Sequence, residues 1–134
     1  MKSKTVPLVL TALAVSFLFA LGLASMSNYS ATAQESESEM TVSMSKGSQA
    51  PDNPEFYVPA EVTVKAGETI TWENEDTAIH TATSGENATP DGKFDTSLVS
   101  PGQSSKPQTM PSEPGEYSYF CTLHPWMTGT VIVS

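Results

Sequence analysis

The chain reads as an all-β protein, a Greek-key β-sandwich that follows an N-terminal export or anchor segment. Three observations predict it. Apolar and polar residues alternate around Met40, Val42 and Met44, around Val62 and Val64, and around Ile70 and Trp72, with the period of two expected of half-buried strands. Turn signals punctuate these runs at Pro51 to Pro54, Ala66-Gly67, Ser84-Gly85, Asp91-Gly92, Pro101-Gly102 and Pro114-Gly115, a spacing that suits a sandwich. Ten prolines and the lack of a helical period argue against long helices.

Taken from the N-terminus, Lys2 and Lys4 precede an apolar run from about Val6 to Ala24, and Ala31-Thr32-Ala33 follows. Together they predict a signal peptide over residues 1–33, cleaved before Gln34. The apolar run is also long enough for an uncleaved N-terminal membrane anchor. Either way the rest of the chain is expected outside the cytoplasm, in the periplasm or at the cell surface. Residues 34–39, Gln-Glu-Ser-Glu-Ser-Glu, form an acidic, disordered spacer that has nothing to bury. Residues 40–134 have the length of one domain. Within them strands are predicted near 40–45, 56–65, 68–73, 78–83, 103–110, 116–121 and 128–134. The stretch 83–100, rich in Gly, Asp, Asn, Ser and Thr, reads as irregular. It holds a glycosylation sequon, Asn87-Ala88-Thr89.

All six basic residues are lysines, and two lie before residue 34, so the remainder carries four lysines against 15 acidic residues, a formal charge of −11. Such a surface repels nucleic-acid phosphates and anionic headgroups. It attracts a basic partner, with salt screening the pull over about 8 Å. The lone Cys121 of an exported chain has no internal disulfide partner, so it is free, bound to another molecule, or held by a ligand.

Its neighbours point to a ligand. In Cys121-Thr122-Leu123-His124-Pro125-Trp126-Met127 a thiolate, an imidazole and a thioether follow at steps of three, and the chain's other histidine, His80, closes a separate strand-like run. A distant His with a Cys-x-x-His-x-x-Met loop is the donor set of a type 1 copper site. Each residue alone has a plainer role: a buried thiol, a hydrogen-bonded histidine, a methionine filling the core. Their conjunction favours the metal. Zinc also takes Cys and His but wants a fourth strong ligand or a water, and no Asp or Glu lies in the loop. A Cys/His nucleophile pair would lack a positioned third residue. Loops at one end of a Greek-key sandwich cluster in space, so His80 can meet Cys121 across 41 positions.

With these residues in place, the chain resembles the cupredoxins, the plastocyanin, amicyanin and azurin superfamily. The resemblance covers most of residues 56–134: Glu61-Val-Thr-Val-Lys-Ala-Gly-Glu-Thr-Ile-Thr-Trp-Glu-Asn74 and Asp76 leading to His80, and Pro114-Gly-Glu-Tyr-Ser-Tyr-Phe-Cys121 leading to the ligand loop. The short loop is most similar to that of amicyanin. The resemblance implies one type 1 copper ion cycling between Cu(I) and Cu(II), with His80, Cys121, His124 and Met127 as its ligands. It implies an electron carrier rather than an enzyme, working between a redox protein donor and acceptor outside the cytoplasm. The acidic charge adds the expectation that those partners dock through a basic surface, and an uncleaved segment 1–33 would tether the chain to the membrane. Two neighbours of His80 depart from the family, which commonly has Pro before this histidine and Asn after it; here they are Ile79 and Thr81. The alternative expectation is a small copper redox enzyme, in which Met127 leaves an open position for a small inorganic molecule. A third is copper delivery.

Overall fold

A computed structural model describes residues 39–134. The expected signal or anchor segment, 1–33, and the acidic spacer up to residue 38 lie outside the described residues. Nine strands occur among them: β1 (Met40–Met44), β2 (Tyr57–Val58), β3 (Glu61–Val64), β4 (Thr69–Asn74), β5 (Thr83–Glu86), β6 (Thr89–Asp95), β7 (Gln108–Thr109), β8 (Gly115–Phe120) and β9 (Thr128–Val133). They form a four-stranded sheet, β2-β1-β4-β7, and a five-stranded sheet, β3-β9-β8-β5-β6. The described residues contain no helix.

The alternation read from the sequence decides which face of each strand is covered. Val42 and Met44 of β1, Ile70 and Trp72 of β4, Val62 and Val64 of β3, and Val131 and Val133 of β9 all enter the core. Trp72 is fully buried, stacked on Phe94 with 5.7 Å between ring centroids and edge-on to Tyr119 at 5.5 Å. An aromatic so enclosed carries much of the packing energy; its truncation to Ala costs about 3–5 kcal/mol. Two parallel pairings, β1 with β4 and β3 with β9, need connections that cross between the sheets. These crossings give the Greek-key sandwich its order and bring loops from distant parts of the chain to one end.

Four local expectations need correction. The run 56–65 is two strands, β2 and β3, in different sheets. Pro59 lies at the break, where the missing N–H cannot continue a ladder. The strand expected over 78–83 is instead an irregular approach to β5, held by one bridge in which His80 and Val99 exchange backbone hydrogen bonds of 3.2 and 2.8 Å. The stretch 83–100 is not irregular throughout, because β5 and β6 form a hairpin within it. Its two-residue turn, Asn87-Ala88, has positive φ at both positions, 50° and 57°. The third departure has a plain cause: β6 is an edge strand with Phe94 as its one buried residue, so its composition looks like that of a loop. The sequon lies at the exposed tip of this hairpin. Lastly, 103–110 shrinks to β7, while Ser105 binds β4 through both its N–H, given to the Trp72 carbonyl, and its Oγ, which accepts the Trp72 N–H.

Candidate metal centre

Cys121 follows directly on β8, whose six residues pair with β9 from Gly115–Val133 to Phe120–Thr128. That ladder fixes both ends of the ligand loop. Inside it, the His124 N–H bonds the Cys121 carbonyl at 3.2 Å, the Met127 N–H bonds the His124 carbonyl at 2.8 Å, and the Cys121 N–H returns to the Met127 carbonyl at 3.1 Å. Two consecutive turns thus close on themselves. Pro125, having no N–H, stands where none is called for by these bonds.

His80 is placed from the other side of the sandwich. Asn74, at the end of β4, donates its Nδ2 to the carbonyls of Ala78 and Val99, both at 2.8 Å, and its Oδ1 accepts the Asp76 N–H at 2.9 Å. These bonds shape the 74–80 connection. They leave His80 fully buried, with Nε2 bonded to Asp76 Oδ2 at 2.8 Å and Nδ1 turned to Cys121 Sγ at 3.7 Å.

His124 Nδ1 also lies 3.7 Å from Cys121 Sγ. The donor atoms of His80, Cys121 and His124 all fall within 4.8 Å of one another, and among the described residues no carboxylate joins the cluster. The structure therefore brings together three of the four residues singled out in the sequence around one point. Met127, the fourth, is fully buried and packs in the same core cluster as Cys121.

The environment favours the thiolate. Burial pushes the Cys121 thiol up, but the His80 ring nitrogen, the Thr81 N–H and the His124 ring nitrogen beside its sulfur bring it down to about 6. The Thr81 N–H reaches Sγ at 3.3 Å. Burial pulls His80 down, and bonds to Cys121 and Asp76 outweigh it and hold the imidazole above its ordinary value. Asp76 resists burial in turn: His80 and the N–H groups of Gly47, Thr77 and Gln49 hold its carboxyl near about 2.

The departure at Thr81 has a local answer. Its Oγ1 accepts the Thr122 N–H at 2.9 Å, so a threonine ties the first ligand stretch to the ligand loop. Tyr57 adds to this support by donating its hydroxyl to the Thr81 carbonyl at 2.5 Å. Sequence reasoning gave no role to Asn74, Tyr57 or Asp76. Only Asp76 left a usable signal, a carboxylate four residues before a candidate histidine.

One soft thiolate and two imidazole nitrogens, held by a scaffold and free of carboxylates, fit copper better than a hard cation. A family model described as a cupredoxin-like domain matches residues 12–133. Amicyanin of Paracoccus versutus is 32% identical over 132 residues, covering 91% of this chain and 92% of that protein. Among solved structures, a purple cupredoxin from Nitrosopumilus maritimus aligns with a TM-score of 0.64 at 28% identity, over 71% of this chain and 99% of that one. An amicyanin variant in its Cu(I) form aligns with a TM-score of 0.53 at 26% identity, over 72% and 82%. With a match running almost the length of the chain and two sheets that converge on a Cys/His cluster, the chain belongs to the cupredoxin-like family.

Proposed function

We propose that this chain is a copper electron carrier that passes one electron at a time between redox proteins outside the cytoplasm. His80, Cys121 and His124 would hold the ion, with the Met127 thioether as a weaker fourth donor. The observation that carries this reading is the meeting of three donor atoms from two distant stretches around a cysteine poised to be a thiolate. The likeness to an amicyanin structure in the Cu(I) form supports the metal. Bound there, copper supplies a one-electron couple between Cu(I) and Cu(II).

The chain's own residues do the rest. The β8–β9 ladder, the Thr81 braces and the Asp76 bond set the donors before a metal arrives, which limits the rearrangement that accompanies a change of charge. His124 is partly exposed, and Ile79, Leu123 and Trp126, each 40–50% exposed, flank the two histidines. Such an apolar rim excludes water when a partner docks and brings an imidazole edge to the contact. The acidic surface steers a basic partner toward it. Export rests on the charged start, apolar run and Ala31-Thr32-Ala33 of residues 1–33.

The test is a visible and electron paramagnetic resonance spectrum of the full chain loaded with Cu(II). An intense thiolate-to-copper band with narrow hyperfine splitting, unmoved by azide, is expected, and Cys121→Ser should abolish it. A band that survives Cys121→Ser would remove the assignment; one that shifts with azide would point to an open copper and small-molecule chemistry. Fractionation of the expressing cells, with the N-terminal sequence of the product, tests export and cleavage before Gln34.

A further inference from the structure

Asp76 is a buried carboxylate, 4% exposed, with an unusually complete set of partners. Oδ1 accepts the N–H of Gly47 at 2.9 Å and of Thr77 at 2.7 Å. Oδ2 accepts the Gln49 N–H at 3.1 Å, the Ser48 hydroxyl at 3.4 Å and the Nε2 of His80 at 2.8 Å. Among the described residues no lysine pairs with it; the one lysine ion pair there is Lys93 with Asp91. Its charge is thus met by neutral dipoles and by the imidazole alone.

The turn that supplies those dipoles also reaches the second histidine. The Ser48 carbonyl accepts the indole N–H of Trp126 at 3.3 Å, and the Trp126 ring stands edge-on to His124 with centroids 5.3 Å apart. The 45–50 turn therefore holds the back of His80 through Asp76 and the side of His124 through Trp126. A residue that bonds the far nitrogen of a ligating histidine settles the tautomer and ring orientation and makes the imidazole a better donor. An anion does so more strongly than a carbonyl, and its field favours the more positively charged oxidation state of the metal.

We infer that Asp76 is the positioning residue of the site: its buried carboxylate holds His80 as the Nε2–H tautomer with Nδ1 free for the metal, and lowers the reduction potential of the bound copper. This deepens the copper reading and rests on it.

The experiment compares the full chain with Asp76→Asn, both loaded with copper, by redox titration and visible spectrum. The variant should keep the intense band while its potential rises by the equivalent of a tenfold change in the ratio of Cu(II) to Cu(I) affinity, about 59 mV for one electron. A band kept with less than a twofold change would overturn the inference, because a carboxylate that only braced the turn would leave the potential alone. Should Asp76→Asn fail to fold, nitrogen-15 NMR of the metal-free native chain, at a pH where the imidazole is neutral, decides instead. A proton on Nε2 of His80 supports the inference, and a proton on Nδ1 overturns it. If the native chain shows no band with copper, the copper reading fails, and the tautomer measurement still judges the hold of Asp76 on His80.

Discussion

The backbone N–H of Thr81 points at Cys121 Sγ across 3.3 Å, while the Oγ1 of the same threonine accepts the N–H of Thr122 at 2.9 Å. One residue thus binds both the proposed metal-bearing sulfur and the loop beside it. Thr81→Val keeps the first bond and deletes the second, leaving the Thr122 N–H without its partner. The expected cost is about 1–2 kcal/mol in denaturant unfolding of the metal-free chain, with the copper band retained.

Met127 tests the assignment of the fourth donor. Met127→Leu conserves volume in a fully buried position, so the fold should lose less than about 1.5 kcal/mol. Copper is expected to remain bound and its potential to rise, since a thioether that helps stabilise Cu(II) has gone. Loss of all copper on this change would make the thioether essential to binding.

Gly129 of β9 sits opposite Tyr119 of β8. A Cβ there would lie 2.4–2.8 Å from atoms of the Tyr119 ring, which is itself packed edge-on to Trp72 and Tyr57. The ring would have to leave those contacts to make room. Gly129→Ala should cost about 1–3 kcal/mol, read as a lower denaturation midpoint.

Much of this was legible in the amino-acid order. Alternating valines and methionines marked β1 and β3 because those strands bury one face each, and the Cys-His-Met spacing marked the ligand loop because three donors of that chemistry fall within seven residues. The β5–β6 hairpin was hidden. Its turn is Asn87-Ala88, with alanine where a glycine would have announced two left-handed residues, and its outer strand is nearly all exposed. Asp76 offered only its place four residues before His80, since only the folded chain brings the 45–50 turn and His80 onto its two oxygens.

That hidden turn is itself testable. Ala88 holds a φ of 57°, a conformation that costs a residue with a Cβ about 1–2 kcal/mol. Glycine removes that strain but is freer in the unfolded chain, which returns part of the gain. Ala88→Gly is therefore expected to stabilise by about 0.5–1 kcal/mol, and calorimetric melting would detect it. A melting temperature that fell would contradict the turn conformation.

The metal-free chain should also show two signed pH effects. Cys121 ionises at about 6 against an ordinary 9.0, so its thiolate appears in the ultraviolet near neutral pH. A depressed folded value means that its contribution to stability is complete above the unfolded value and is lost as pH falls through about 6. Asp76 follows the same sign lower down: its contribution is complete above about pH 4 and lost through about 2, roughly 2 kcal/mol in all. Unfolding curves of the native chain and Asp76→Asn should accordingly converge as acid is added.

The two halves of the site sit in very different parts of the architecture. Cys121, His124 and Met127 occupy a single connection between neighbouring strands whose ends are clamped by the Phe120–Thr128 pair, whereas His80 lies on a stretch that bridges to Val99 and is threaded through Asn74. Lengthening a clamped connection adds closure entropy only slowly. Residues 122–126 can therefore be exchanged as a unit so long as His124, the Thr122 N–H that reaches Thr81 and the Trp126 indole that reaches Ser48 are kept, while the approach to His80 admits no such trade without taking the sandwich apart.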